Sequence, residues 1–433
     1  LKPRQHSFSD KKLETLQRLT FDYFLKETNR ENGLVPDSTR QGAPCSITAT
    51  GFALASYTVG VERGFIKRKD AIKRTLTTLR FFWNRSHGPE PDATGYKGFY
   101  YHFLDMKTGR RTWDCELSTI DSTFLIAGAL TAAEYFNRDT EDESEIRTLA
   151  SAIYHRADWH WAQNRGVTVT HGWRPESGFI KYRWRGYNEA LMLYVLGLAS
   201  PTHPLPAKSY HAWTRTYEWK KLYGHEFLYA APLFIHQLSH MWIDFRGIQD
   251  EYMRHKAIDY FENSRRATYI QQQYAIRNPR DFKGYSEYIW GLTASDGPGP
   301  ASKKIGGKLR RFYDYSARGV PNGPDDGTLA PWAVVASLPF APEIVLPSIQ
   351  YFEETFPEMT SKYGFKCSFN PTFSTASSKE WISKGYYGLD QGPIVLMIEN
   401  YRSGFLWQLM RRCPYIIAGL RRAGFAGGWL PNP

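Results

Sequence analysis

Cysteine is scarce: Cys45, Cys115, Cys367 and Cys413 stand far apart in 433 residues, with no C-x-x-C pair and no zinc-finger spacing. That spacing argues against a structural metal, and although four thiols can pair in three ways, so long a chain is expected to bury them as thiols. Long apolar runs are missing too. A membrane span needs ~18 consecutive apolar residues, and the most tempting stretch, 404–430, is broken by Arg411, Arg412, Arg421 and Arg422. There is also no run of five or six like charges. Lys+Arg 55 against Asp+Glu 43 gives a net charge of +12, but the basic residues are scattered, as in Lys67-Arg68-Lys69 and Lys303-Lys304, and no nucleic-acid motif accompanies them. The balance therefore speaks for solubility rather than a nucleic-acid partner.

Several familiar catalytic patterns are absent as well. Lys304-Ile305-Gly306-Gly307-Lys308-Leu309 lacks the leading Gly and the Ser/Thr of a phosphate-binding loop, and Gly284-Tyr285-Ser286-Glu287-Tyr288 lacks the second Gly of a nucleophile elbow. His225-Glu226 has Tyr229 where a zinc protease needs its second His. His236 and His240 stand at i, i+4 with Asp244 one turn on, a spacing a metal would accept but also that of a helix face with two hydrogen-bonded histidines. No metal and no cofactor are expected.

Aromatic residues are what the chain has in excess. Trp, Tyr and Phe make up 16%, which suits the stacking of flat sugar faces and also the filling of a large core. Apolar residues at 42% and charged residues at 23% exclude disorder as the main state. Spacing of three and four recurs over long segments, predicting helices from Ser9 or Asp10 onward and then at about 46–62, 69–85, 118–136, 140–164, 187–199, 206–218, 229–241, 249–277, 328–338, 343–356 and 392–421, the last broken near Pro414. Strand-like patches are local, at 99–103 with a turn at 107–109, and at 167–169 followed by 179–182. The segments 118–136, 187–199 and 328–338 are apolar on nearly every face and must be buried, whereas 140–164 and 249–277 are charged and amphipathic. Buried helices alternating with amphipathic ones predict an all-α double-layered toroid, six inner and six outer helices, with small β-hairpin insertions. No composition shift divides the chain, so one domain over 1–433 is expected.

The remaining chemistry lies in carboxylates beside aromatics and glycines at the starts of apolar helices. Trp113-Asp114-Cys115-Glu116-Leu117-Ser118-Thr119-Ile120-Asp121 leads into one such helix, where any single acid is equally a cap or a dipole partner. Tyr187-Asn188-Glu189 precedes Ala190-Leu191-Met192-Leu193, placing a carboxyl on an otherwise apolar helix, where burial raises its pKa as a general acid requires. The bland alternative pairs Glu189 with Arg183 or Arg185. Tyr386-Tyr387-Gly388-Leu389-Asp390 runs into a third apolar helix that Glu399 and Asn400 interrupt. Glycoside hydrolysis needs two carboxyl groups flanking the scissile bond, and these blocks supply candidates for both.

Several blocks in order, Tyr187-Asn188-Glu189-Ala190, Ser200-Pro201-Thr202-His203-Pro204, Trp290-Gly291-Leu292-Thr293-Ala294-Ser295-Asp296-Gly297-Pro298, Gly327-Thr328-Leu329-Ala330-Pro331 and Leu389-Asp390-Gln391-Gly392-Pro393 with Glu399-Asn400-Tyr401-Arg402-Ser403-Gly404, resemble the glucoamylase-like domain of glycoside hydrolase family 144. The resemblance spans nearly the whole chain. It implies an (α/α)6 toroid and metal-free, inverting hydrolysis of β-1,2-glucan or its oligosaccharides, with Glu189 as general acid and Asp390 as candidate base. It further implies a periplasmic or secreted protein; since the chain opens with Leu1 rather than Met, any signal peptide is expected to be already removed, and a monomer is expected. Trp113, Asp114, Glu116, Asp121, Tyr187, Asn188, Glu287, Trp290, Asp296, Trp381, Tyr386 and Glu399 are the expected substrate-binding residues. One departure stands out: the Asp-x-x-Glu pair at a helix mouth of the family's endo-acting members reads Ser118 and Asp121 here, with Asp114 and Glu116 upstream. A phosphorylase or lyase on the same toroid, and a glycan-binding protein without catalysis, are the rival readings.

Overall fold

The computed structural model describes residues 10–374 and 378–430; Ser9, an expected cap, lies outside them. In chain order the helices are α1 (Asp10–Lys26), α2 (Ile47–Glu62), α3 (Arg68–Asn84), α4 (Thr119–Tyr135), α5 (Glu141–Arg156), α6 (Trp159–Ala162), α7 (Leu191–Ala199), α8 (Ala207–Thr214), α9 (Glu251–Lys256), α10 (Tyr260–Arg277), α11 (Pro331–Ala336), α12 (Pro342–Thr355), α13 (Gly388–Arg402), α14 (Phe405–Met410) and α15 (Pro414–Arg422). No helix among the described residues is long and apolar enough to cross a membrane.

Burial sorts these helices into two layers. Every residue of α7 is buried, and so are Ile47–Gly60 of α2, because a helix apolar all round has no face to offer water. α2 packs on α4, α4 on α7, α11 on α13 and α13 back on α2. Between α7 and α11 the inner position is taken by two 3₁₀ turns, Leu233–His236 and Leu238–Met241. Ser239 ties them to α7 by accepting from the Met192 amide, and Gln237 ties them to α11 by donating to the Ala333 carbonyl and Ser337. The inner ring therefore has six positions. Outside it, α1 lies on α13, α3 on α2, α5 on α4, α8 on α7, α10 on the first 3₁₀ turn and α12 on α11. This is the (α/α)6 toroid.

The tightest joint is between α2 and α4. A Cβ on Gly51 would meet the Phe124 carbonyl at 2.4 Å, and one on Gly128 would meet the Gly51 carbonyl at 2.0 Å, so only paired glycines let these backbones approach so closely. Most of the aromatic excess serves this core: Trp159, Trp213, Trp242, Trp290 and Trp332 are among the largest fully buried side chains. All four cysteines are buried free thiols.

Several expected elements are differently cut. The helix expected at 229–241 is the pair of 3₁₀ turns, which begins just after Pro232 and is held by side-chain bonds rather than an α ladder. The helix expected at 249–277 breaks at Ala257, a left-handed residue (φ 55°), and that at 140–164 breaks at Ala157, where the backbone is extended. The expected strand at 167–169 is displaced: the pairing strands are Gly172–Arg174 and Gly178–Phe179, joined to Leu117–Ser118, Phe99–Tyr101 and Gly95–Tyr96 in a five-stranded sheet. Lys304–Leu309 is the tip of a hairpin, with Gly306 and Gly307 at φ 57° and 79° making its turn between Ala301–Ile305 and Lys308–Phe312.

Candidate active site

The N-termini of the inner helices meet at one end of the ring, around a cavity of about 950 Å³. Ser118 caps α4 by accepting from the Asp121 amide, and the strand Leu117–Ser118 that precedes it sets Glu116 beside Asp121 at the same mouth. His102 follows the neighbouring strand. Its Nδ1 lies 3.0 Å from Glu116 and its Nε2 3.5 Å from Asp121. Burial works against a charged imidazole, but Asp121 and the bonded Glu116 outweigh it and raise His102 to about 9, while His102 helps hold Glu116 below its ordinary value against burial. Asp121 also accepts from Thr48 at 2.6 Å and from Ser118. The ligand atoms of His102, Glu116 and Asp121 lie within 4.8 Å of one another, but both ring nitrogens face carboxylates, which describes an imidazolium between two acids.

Glu189 lies in the turn before α7. Asn188 locks that turn: its Oδ1 accepts from the Ala190 amide and the Trp213 indole, and its Nδ2 donates to the Arg185 carbonyl. Among the described residues no arginine pairs with Glu189. Arg183 instead donates to the carbonyls of Gln163, Thr168 and Asn164. Burial and the nearby Asp121 raise Glu189 to about 7, against the opposing bond from its own amide.

Aromatic rings wall the cavity. Trp113 (63% exposed) and Tyr182 (60%) stand at the rim, and deeper in, Trp184 stacks on His171 at 3.8 Å and donates to Thr119. Trp113 and Asp114 are consecutive left-handed residues (φ 58° and 46°), a conformation that costs about 1 kcal/mol or more each for non-glycine. Tyr315 and Tyr387 face each other at 6.2 Å on another side. The Tyr315 loop is fastened from beneath by Arg318, fully buried, which pairs with Asp326 and donates to the carbonyls of Tyr313 and Asp314.

Of the sequence-predicted residues, Trp113, Glu116, Asp121, Glu189 and Asp296 line the cavity, Asp296 paired with Arg40 and bonded by Ser383. Asp114 is exposed beside them but is not on the lining. Asp390 lies behind the wall: it is 1% exposed, neither oxygen meets a close hydrogen-bond partner, and burial, with Asp37 and Asp296 adding to it, raises it well above the carboxylate range despite the nearby Cys367 thiol. Tyr187 is buried against His236, and Trp290 is wholly buried with its indole on Ser348. Tyr386 packs on Tyr363, Trp381 sits in a short strand pair with Phe369–Asn370, and Glu287 is exposed elsewhere. Glu399 is a structural acid, held by Arg63, Gln17 and Ser403. These residues sit near the acids in sequence but turn into the core or away from the cavity. His236, His240 and Asp244 do not converge on a metal: the histidines bond to the Ala230 carbonyl and Ser264, and Asp244 is taken by Arg246 and Arg411. Asp37, Arg40, His102, His171, Tyr182 and Tyr315 were not foreseen.

A ring of helix N-termini around acids and aromatic rings places the molecule in the helical-toroid class. The sequence model of the Glycoamylase family, described as "Putative glucoamylase", matches residues 181–414, and the chain belongs to that family. A Bacteroides uniformis protein solved as a "putative glucoamylase" is 33% identical, with 98% of this chain and 99% of its own covered and a TM-score of 0.86. The endo-beta-1,2-glucanase of Chitinophaga pinensis, solved with sophorotriose and glucose, is 28% identical over 96% of this chain and 98% of its own, at a TM-score of 0.83. The exo beta-1,2-glucooligosaccharide sophorohydrolase (non-reducing end) of Parabacteroides distasonis is 27% identical over 95% of this chain. The chain spans 57% of the length of that relative.

Proposed function

We propose that this protein hydrolyses β-1,2-linked glucan or its oligosaccharides with inversion, Glu189 acting as general acid. The observation that carries this is the state of Glu189: it reaches the cavity, is raised to about 7, and has among the described residues no arginine partner that would make it a structural ion pair. A carboxyl that keeps its proton near neutral pH can deliver it to a leaving sugar oxygen. Aromatic walls supply apolar faces for sugar rings, and the paired acids Glu116, Asp121 and Asp296 offer acceptors to hydroxyls. The relatives named for β-1,2-glucan support the linkage.

Incubation with β-1,2-glucan and its oligosaccharides, with and without phosphate, tests the reading. New reducing ends independent of phosphate are expected, and NMR of fresh product should show the α anomer first. A phosphorylated sugar would make the protein a phosphorylase, and a β anomer appearing first would refute inversion.

A further inference from the structure

An inverting hydrolase needs a second carboxyl, ionised and in reach of water, opposite the acid. Asp37, Glu116, Asp121, Glu189, Asp296 and Asp314 line the cavity. Three of them are occupied: Glu116 by His102, Asp121 by Thr48, Ser118 and His102, Asp296 by Arg40 and Ser383. Asp314 is exposed on the outer loop. Asp37 and Glu189 are left, partly buried and without a side-chain partner among the described residues. Asp390 is sealed from the cavity, 1% exposed and off its lining, and burial pushes its carboxyl up.

We propose that Asp37 is the catalytic base that takes the proton from the attacking water, an assignment that rests on the hydrolase reading above. Main-chain bonds place it. The Asp37 amide donates to the Pro44 carbonyl at 2.7 Å, and its carbonyl accepts from the Gly388 amide at 2.8 Å, at the first residue of α13. A Cβ on Gly388 would meet Ala49 at 2.5 Å and the Pro36 carbonyl at 3.2 Å, so this glycine lets α13 close on α2 and on the irregular segment that carries Asp37. Glu189 opens α7. Counted around the inner ring, α7 is third and α13 sixth, so Glu189 and the main-chain anchor of Asp37 belong to opposite positions of the ring, and both residues line the cavity. Burial raises Asp37 to about 6 while His102 and Arg40 draw it down and Asp121 pushes it up, leaving it ionised at neutral pH and basic enough to act.

In the step, the water oxygen bonds to the anomeric carbon as its proton passes to Asp37. The glycosidic C–O bond breaks with its electron pair going to the leaving oxygen, which receives the Glu189 proton. Asp37 ends protonated and Glu189 ionised, and exchange with water in the open cavity restores both. Water is the sole co-reactant.

The test compares wild type, Glu189→Gln, Asp37→Gly, Asp37→Asn, Asp390→Gly and Asp390→Asn on β-1,2-glucooligosaccharides, with and without sodium azide. Both Asp37 variants should lose ~10²–10⁴ in kcat while oligosaccharide binding by calorimetry survives. In Asp37→Gly, azide occupies the vacated space and attacks the anomeric carbon with its own electron pair, so rate returns and an α-glucosyl azide forms. Asp37→Asn keeps the side-chain volume and the main-chain bonds, so its loss of turnover reads chemistry rather than folding. Turnover within threefold of wild type in either Asp37 variant, or an azide product from Asp390→Gly and not from Asp37→Gly, would overturn the assignment. An active wild type with an inert Glu189→Gln and a fully active Asp37→Asn would sink Asp37 alone. An inactive wild type would sink the hydrolase reading and Asp37 with it.

Discussion

Replacing Glu189 by Gln should damage turnover and improve stability, and the two effects should separate by pH. Glu189 is raised from an ordinary 4.5 to about 7, chiefly by burial and then by Asp121. A carboxyl raised by folding binds its proton more tightly in the native state, so the wild type loses stability as pH climbs from 4.5 through 7 and keeps the deficit above that. At ~1.4 kcal/mol per unit the deficit is on the order of 3 kcal/mol at pH 8, an upper figure because cavity water screens part of it. Gln carries no charge, and among the described residues Glu189 has no side-chain partner to orphan, so the variant escapes the deficit. With unfolding entropy near ~2.1 cal/mol/K per residue, a chain of this length shifts by about 1 °C per kcal/mol. Scanning calorimetry should show the variant ~3 °C more stable at pH 8 and less than ~1 °C apart at pH 4.5, while kcat falls by ~10²–10⁴. A variant no better at pH 8 than at pH 4.5 would mean that Glu189 is not held protonated. Retained turnover would remove it as the acid.

The pH profile of kcat/KM should be a narrow bell, because the base must be ionised and the acid protonated. With Asp37 near 6 facing His102, Arg40 and Asp121, and Glu189 near 7 facing Asp121, initial rates should fall ~sevenfold from the optimum at both pH 5 and pH 8. Trp113→Ala should raise KM by the ~0.5–1.5 kcal/mol of a stacking contact with kcat within threefold, whereas Trp290→Ala, which empties a core site, should cost ~3–5 kcal/mol in denaturant unfolding. Arg318→Met should cost ~3–5 kcal/mol by leaving Asp326 charged and unpaired at zero exposure; urea titration reads it, and a loss under ~1 kcal/mol would refute the clamp.

The toroid was readable because its inner helices are apolar on every face, a pattern that only burial explains. Element boundaries were less readable where tertiary bonds overrule periodicity. Residues 229–241 carry a helical spacing, yet Gln237 spends its side chain on Ala333 and Ser337, and the backbone settles into 3₁₀ turns. Ala257 takes a left-handed conformation that nothing in its side chain announces.

At the site, the place of Glu189 on the cavity wall was legible because a lone acid entering an apolar helix has few structural uses, and the structure turns Arg183, one of its expected partners, to main-chain carbonyls. Trp290 and Tyr187 misled because adjacency to an acid along the chain says nothing about which way a ring points. Asp37 left no signal. It belongs to an irregular stretch without periodicity, and what brings it to the cavity is a hydrogen bond from Gly388, most of the chain away. Helix N-termini favour anions, so a ring of them gathers acids at one mouth, and their partners then tell the acids apart. His102, Arg40 and the hydroxyls of Thr48 and Ser118 engage three of them in fixed bonds, which suits the holding of sugar hydroxyls. The two that line the cavity without a side-chain partner among the described residues, anchored at opposite positions of the ring, are the ones left to exchange a proton.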